Sequence, residues 1–268
     1  MSSPVNGRLW GLAAENWAQI QEGQCRLVYL ATFERIGVTP GLNYLDVGCG
    51  AGMAAQIASE KGARVFGLDA SPNLLAIART RVPGGDFRIG ELEQLPFADN
   101  CFDLITGFNS FQFAADPRAA LAEAKRVARV GSPVVVMTWG KPEGMEAASL
   151  VGALRPLLPA PPPGAPGPFA LSDETALRSL AVAAGLEPEE IFDVDSPWQY
   201  QDLATALRGL GSSGVAARAA ETVGAKAVDD AHSAALSPFR QADGSYRIGA
   251  SFRCLISRAL SDIESVRI

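Results

Sequence analysis

Between residues 42 and 140 the chain alternates short apolar runs with amphipathic stretches, and this rhythm constrains the fold more than any other feature. Leu42–Val47, Arg64–Leu68, Asp86–Gly90, Phe102–Gly107 and Pro133–Trp139 read as strands, the last as a continuous apolar run of the kind that a parallel sheet buries on both faces. Met53–Lys61, Ser71–Arg81 and Asp116–Arg129 read as the helices between them. Two of those helices open on a cap residue followed by proline, Ser71-Pro72 and Asp116-Pro117, where the missing N–H of proline costs nothing. Repeated strand–helix–strand units require parallel pairing through right-handed crossovers, so the expected fold is α/β with a Rossmann-like sheet.

The flanks break this rhythm. Up to about Pro40 the chain reads as a helical cap, with Trp10, Ala14, Trp17 and Ala18 at helical spacing, then Leu27, Leu30, Ala31 and Phe33, and glycines 37 and 41 ending the run. Residues 41–140 form the expected core. Residues 141–244 read as lid and substrate-binding insertions carrying a sixth strand at Glu190–Pro197, and 245–268 as a final strand and tail. The APPPGAPGP stretch from Ala160 to Pro168 reads as a stiff surface connection. A helix with Ser172 as cap is expected to Ala184, a largely helical stretch over Asp202–Leu236 interrupted at glycines 209, 211, 214 and 224, and a last strand over Tyr246–Ser257. No internal repeat is visible.

Composition excludes several functions. Hydrophobic residues make up 48% of the 268, enough for a real core, and the net charge of −6 argues against a nucleic-acid partner. The four cysteines lack metal spacing and there is a single histidine, so no metal site is expected. Met1 to Trp17 does not read as a signal peptide, and no apolar run approaches the ~18 residues of a membrane span. The expectation is a cytoplasmic monomer or homodimer acting on a small molecule.

The chemistry centres on Tyr44-Leu-Asp-Val-Gly-Cys-Gly-Ala-Gly52, where a strand gives way to a helix through a glycine-rich turn. Such a turn lets backbone approach a ligand closely, and free N–H groups at the helix start favour an anionic or polar group. Asp69 follows 23 residues after Asp46, at the end of the next strand, where an acid takes ribose hydroxyls. Turn and acid together fit an adenosine-containing cofactor. The turn is not a dinucleotide fingerprint, because Met53 stands where GxGxxG or GxGxxA needs a small residue. This favours S-adenosylmethionine (SAM), which carries no phosphate, over NAD.

At these residues the chain resembles the class I SAM-dependent methyltransferases, in particular the ubiquinone/menaquinone-biosynthesis branch. Gly90-Glu-Leu-Glu-Gln-Leu-Pro-Phe97 is similar to the family's GDAExLPF, Asp99-Asn-Cys-Phe-Asp-Leu-Ile105 to its DxSFDLV, and Arg126–Pro133, more loosely, to the loop before its fifth strand. The resemblance implies a seven-stranded, mostly parallel sheet with an antiparallel last strand, helices on both faces and a helical lid. It also implies site roles: Gly48, Cys49, Gly50 and Gly52 at the methionine end of SAM; Asp46 for its ammonium; Asp69 for the ribose; Ala70 and Ser71 along the adenine; Glu91, in place of the family's Asp, and Leu92 at the adenine edge; and Gly107, Phe108 and Asn109 closing the pocket beside the sulfonium.

Simpler roles compete with these. Cys49 reads as a small filler rather than a nucleophile, and Glu93 and Asp103 as solvated or structural acids. His232 is the one candidate general base, although in Asp229-Asp-Ala-His-Ser it reads first as a solvated surface residue. Trp10 and Trp17 suit a cofactor cover and ordinary helix packing alike. Three functions follow: methyl transfer to a small molecule, such as a secondary metabolite or quinone-like acceptor; a non-methylating, cyclase-like use of SAM; and NAD(P)-dependent oxidoreduction.

Overall fold

The computed structural model describes residues 3–160 and 167–261. Five strands, β1 (Asn43–Val47), β2 (Arg64–Asp69), β3 (Asp86–Ile89), β4 (Leu104–Phe108) and β5 (Pro133–Trp139), pair in parallel. Beyond β5, β9 (Ser251–Ala259) inserts antiparallel between β5 and the edge strand β6 (Leu186–Asp195). The order β3-β2-β1-β4-β5-β9-β6 is the expected seven-stranded sheet with its last strand antiparallel. The chain builds outward from β1 to β3, then returns to lay β4 on the other side of β1. The carboxyl ends of β1 and β4 therefore flank a topological switch point, where open α/β sheets bind ligands.

Side chains alternate across the sheet and feed two cores. Tyr44, Val65, Leu104, Val135 and Met137 face one core, shared with α3 (Arg26–Ile36), α4 (Met53–Glu60) and α5 (Pro72–Arg81). Leu45, Val47, Leu68, Ile105, Val134 and Val136 face the other, shared with α6 (Pro117–Val127) and α8 (Glu174–Ala183). The cap-proline signals hold: Ser71 Oγ accepts from Leu74 N at 3.3 Å, and Asp116 caps α6 through Arg118 and Ala119. Gly37, at φ 76°, ends α3 by donating to Phe33 O.

The N-terminal cap is less regular than its periodicity suggests. Helix α1 (Ser3–Gly11) and the short turn α2 (Ala14–Asn16) lead into a π-helical turn over Trp17–Gln21 and a 3₁₀ turn over Glu22–Cys25. Helices α9 (Leu203–Gly211), α10 (Gly214–Val223) and α11 (Ala225–Leu236) complete a helical layer in which α10 packs on α1 and α11, and α11 also on α7 (Ala147–Ala153).

Several expectations are corrected in detail. The sixth strand starts at Leu186, earlier than Glu190, and absorbs Pro188 at a register shift that an edge strand tolerates. The expected last strand is two. β8 (Tyr246–Ile248) pairs with β7 (Trp198–Tyr200) in a separate ribbon, and the chain turns at Gly249, whose N–H meets the Glu146 carboxylate, before β9 begins. Asp173, not Ser172, caps α8, accepting from Ala176 N at 2.8 Å, while Ser172 Oγ donates to Trp139 O. Gly209 does not interrupt its helix. It lies inside α9, where a Cβ would come within 2.8 Å of Ile20. Most of the proline-rich stretch, residues 161–166, lies outside the described residues.

Candidate cofactor-binding site

Asp46 sits at the end of β1 with 2% exposure. Its Oδ1 accepts from Thr106 Oγ1 at 3.1 Å, and Thr106 in turn accepts from the Tyr44 hydroxyl at 2.6 Å. This buried relay from β1 to β4 holds the carboxyl at the switch point. Burial pushes its pKa up to about 7; the Thr106 hydrogen bond opposes the shift, and the like charges of Glu22 and Asp69 add to it.

The glycines after Asp46 are needed for distinct reasons. Gly48, Gly50 and Gly52 all have positive φ. A Cβ on Gly48 would lie 2.3 Å from that of Ser110, whose hydroxyl donates to Val47 O, so this glycine lets the loop after β4 close on the turn. A Cβ on Gly52 would lie 2.8 Å from Ala78 Cβ, so Gly52 supplies the close contact between α4 and α5. Gly50 instead looks onto Trp17 Nε1 and Glu22 Oε1, which would stand 3.5 and 3.7 Å from a Cβ there.

The N–H groups of this turn are not free, contrary to the sequence expectation. Gly48 and Cys49 donate to Leu68 O, Gly50 to Asp69 Oδ2 at 2.9 Å, Gly52 to Cys49 O, and Met53 to Glu22 Oε1 at 3.1 Å. Asp69 Oδ1 also accepts from Ser71 N at 2.8 Å. The Asp69 carboxylate therefore ties the β1 turn to the β2 turn; burial raises its pKa against these N–H bonds.

Glu22 has no local sequence signal. It lies in the 3₁₀ turn and its partners are 31 and 59 residues away. Its carboxylate is 4% exposed and pairs with Arg81. Burial raises its pKa, and the Arg81 guanidinium opposes that rise. Arg81 also donates to Ala51 O at 3.0 Å and Ala18 O at 2.8 Å, clamping the cap to the glycine turn. Glu22, in Ile20-Gln-Glu-Gly-Gln24, and an arginine closing α5 were visible in the sequence, but only the fold joins them.

The other expected site residues fall around this centre. Helix α1 lies on Ala70 and Ser71: a Cβ on Gly7 would overlap Ala70 O, and one on Gly11 would sit 2.7 Å from Ser71 Oγ, which is committed to its cap. Glu91 is exposed and faces Gln94 across a tight turn that includes Leu92. Gly107 and Phe108 are buried at the end of β4, with Asn109 at φ 53°, its N–H on Met137 O and its side chain accepting from Gln112. Trp17 and Trp10 meet edge-to-face with centroids 4.9 Å apart, and Trp10 reaches Phe113. Cys49 is buried and its thiol is pushed well up by burial, as an inert filler requires. Glu93 caps the turn at Ala115 and Asp116, and Asp103 holds Asn43 N and Arg129, so both are structural.

His232 is corrected. It is 2% exposed on α11 rather than solvated, its Nδ1 has no hydrogen-bond partner, and burial lowers its pKa to about 4. No group of His, Cys, Asp and Glu among the described residues could hold a metal.

Asp46, Glu22 and Asp69 thus converge on one glycine turn, with Arg81 as the cation paired to Glu22. This cluster of buried carboxyl groups, with only Glu22 paired to a cation, fits a cofactor with an adenosine end and cationic groups, as in SAM, which favour the ionised forms, and fits a pyrophosphate poorly.

Fold and site together define a Rossmann-like domain with a candidate cofactor site at its switch point. Residues 45–136 match the family described as a methyltransferase domain. It is 35% identical over 120 residues to a demethylmenaquinone methyltransferase of Renibacterium salmoninarum, covering 45% of this chain and 51% of that protein. It is 31% identical over 146 residues to a ubiquinone biosynthesis O-methyltransferase of Cereibacter sphaeroides, covering 50% and 59%. The chain thus spans about half the length of these relatives. Among solved structures, a SAM-dependent methyltransferase of Aquifex aeolicus shares the fold at TM-score 0.53 and 19% identity, covering 68% of this chain and 92% of that one. The 4+2 cyclase SpnF shares it at TM-score 0.58 and 24% identity, covering 87% and 80%.

Proposed function

We propose that this chain is an enzyme that binds SAM at the switch point and transfers its methyl group to a small molecule. The observation that carries this is the cluster of Asp46, Glu22 and Asp69 around Gly48–Gly52, with Arg81 paired to Glu22. In this reading Asp46 holds the cofactor ammonium, directly or through water. Asp69, braced by the Gly50 and Ser71 N–H groups, keeps lone pairs for the ribose hydroxyls. Gly48, Cys49, Gly50 and Gly52 shape the methionine end by backbone, and Gly107–Asn109 close the wall toward the acceptor. Ala70, with the backbone of Ser71, borders the adenine, whose edge is met by Glu91 and Leu92.

When bound, SAM supplies an activated methyl group on a sulfonium with a good leaving group, so the chain's task is alignment and exclusion of water. The cap and helices α9–α11 form the lid. Trp10 packs against Gly214, where a Cβ would meet the indole at 2.6 Å, and Arg8 pairs with Glu221 on α10. Trp10, Trp17 and Phe113 give the site an aromatic wall that suits a flat, apolar acceptor of the quinone or phenol class. The names of the two relatives support that class.

The test is titration with S-adenosylhomocysteine, then incubation with SAM and a panel of hydroquinones and phenols. Micromolar binding and a product heavier by one methylene are expected. Tight NAD(H) binding without S-adenosylhomocysteine affinity defeats the cofactor reading. Product formed without release of S-adenosylhomocysteine defeats methyl transfer in favour of a cyclase-like role.

A further inference from the structure

A glycine turn that opens a helix behind a parallel strand ordinarily offers its N–H groups to an anion, and dinucleotide-binding folds place the pyrophosphate there. Here the position is filled from within the chain. Met53, the first residue of α4, donates its N–H to Glu22 Oε1 at 3.1 Å, and Ala51 adds a backbone contribution to the same carboxylate. Gly50 donates to Asp69 Oδ2 at 2.9 Å. Gly52, the N-cap of α4, has no side-chain cap of its own, so Glu22 caps the helix from the N-terminal segment.

The placement is built rather than incidental. Glu22 is 4% exposed and paired with Arg81, which is itself bonded to Ala51 O and Ala18 O on the two sides of the junction. The π-helical turn before Glu22 and the 3₁₀ turn that contains it set the segment at this depth. The positive end of α4 favours the carboxylate, and the carboxylate repels any second anion brought to the turn.

We infer that Glu22 is a specificity-determining residue of the cofactor site: it occupies the anion position at the head of α4, so the turn rejects phosphate-bearing nucleotides and admits an adenosine cofactor whose other end is cationic. The inference rests on the SAM reading. It also replaces Met53 as the reason a dinucleotide is excluded. The Met53 side chain reaches toward Gly23 in the cap, and the residue that needs to be small for helix packing is Gly52.

The test compares S-adenosylhomocysteine, adenosine and ADP by titration calorimetry on the full chain. In the wild type, ADP is expected to bind at least tenfold more weakly than adenosine. ADP binding as tightly as adenosine overturns the inference without any variant. In Glu22→Gln, which keeps an acceptor for Met53 N but removes the charge, the ratio Kd(ADP)/Kd(S-adenosylhomocysteine) is expected to fall at least tenfold. The double variant Glu22→Gln/Arg81→Gln, which avoids an unpaired guanidinium, is expected to show a smaller fall of at least threefold. A purely structural role for Glu22 weakens both ligands alike, and an unchanged ratio in either variant that melts cooperatively overturns the inference alone. A wild-type chain without affinity for S-adenosylhomocysteine overturns the cofactor reading and this inference with it.

Discussion

Cofactor binding is expected to release a proton from Asp46, with affinity rising across neutral pH. The Asp46 carboxyl is raised to about 7, chiefly by burial, so much of it is protonated in the free chain at neutral pH. Only the ionised form attracts an ammonium. Apparent Kd then scales as one plus ten raised to pKa minus pH: a factor of about 11 at about pH 6 and about 1.1 at about pH 8, a tenfold gain or about 1.4 kcal/mol. Other buried groups do not mimic this readily. Burial pushes the Tyr44 and Cys49 groups well up, and His232 is lowered to about 4. Glu22 and Asp69 are also raised, and Asp46→Asn separates their contribution. The assay is titration calorimetry with S-adenosylhomocysteine at three pH values, in two buffers of different ionisation enthalpy so that released protons are counted. Affinity that is flat or falls from pH 6 to 8, or a slope that survives in Asp46→Asn, would refute the reasoning.

The same shift has a stability consequence. A carboxyl raised above its unfolded value of about 3.9 contributes stability that is complete below about pH 4 and lost as pH rises through about 7. The ligand-free Asp46→Asn variant should therefore gain in melting temperature relative to wild type as pH rises from 5 to 8; a constant difference contradicts the assignment. Asp69→Ala should weaken S-adenosylhomocysteine at least tenfold, about 1.4 kcal/mol, by calorimetry, and unchanged affinity would mean that the acid does not meet the ribose. Gly52→Ala should cost about 1–3 kcal/mol in urea unfolding, because the new Cβ falls 2.8 Å from Ala78 Cβ at φ 84°; an unshifted midpoint is the adverse result. His232→Leu should leave stability within about 1 kcal/mol of wild type or raise it, since it removes a buried Nδ1 without a partner, and should preserve turnover. Lost turnover at unchanged stability would instead make His232 a catalytic base.

Much of the core was legible because its signals are local. Proline after a capping residue placed the starts of α5 and α6, and the apolar run of β5 matched its strand. Asp46, the three glycines and Asp69 came together as expected because strand ends and the turns after them are short-range features. The periphery was less legible. β8 and β9 read as one strand because a two-residue break at Gly249-Ala250 barely disturbs apolar alternation, while partner choice, β7 for one and β5 with β6 for the other, is non-local. His232 carried a polar sequence context, yet helix packing buried it.

The sequence by itself determined the α/β class, the glycine turn and the acid at the end of β2, since hydrophobic period, capping and positive φ act over a few residues. Only the tertiary structure decided what fills that turn. Glu22, Met53 and Arg81 are distant in sequence and meet because the irregular cap folds over the switch point. A buried carboxylate there persists only where a helix N-terminus and a guanidinium balance its desolvation, and no single segment of the chain supplies both.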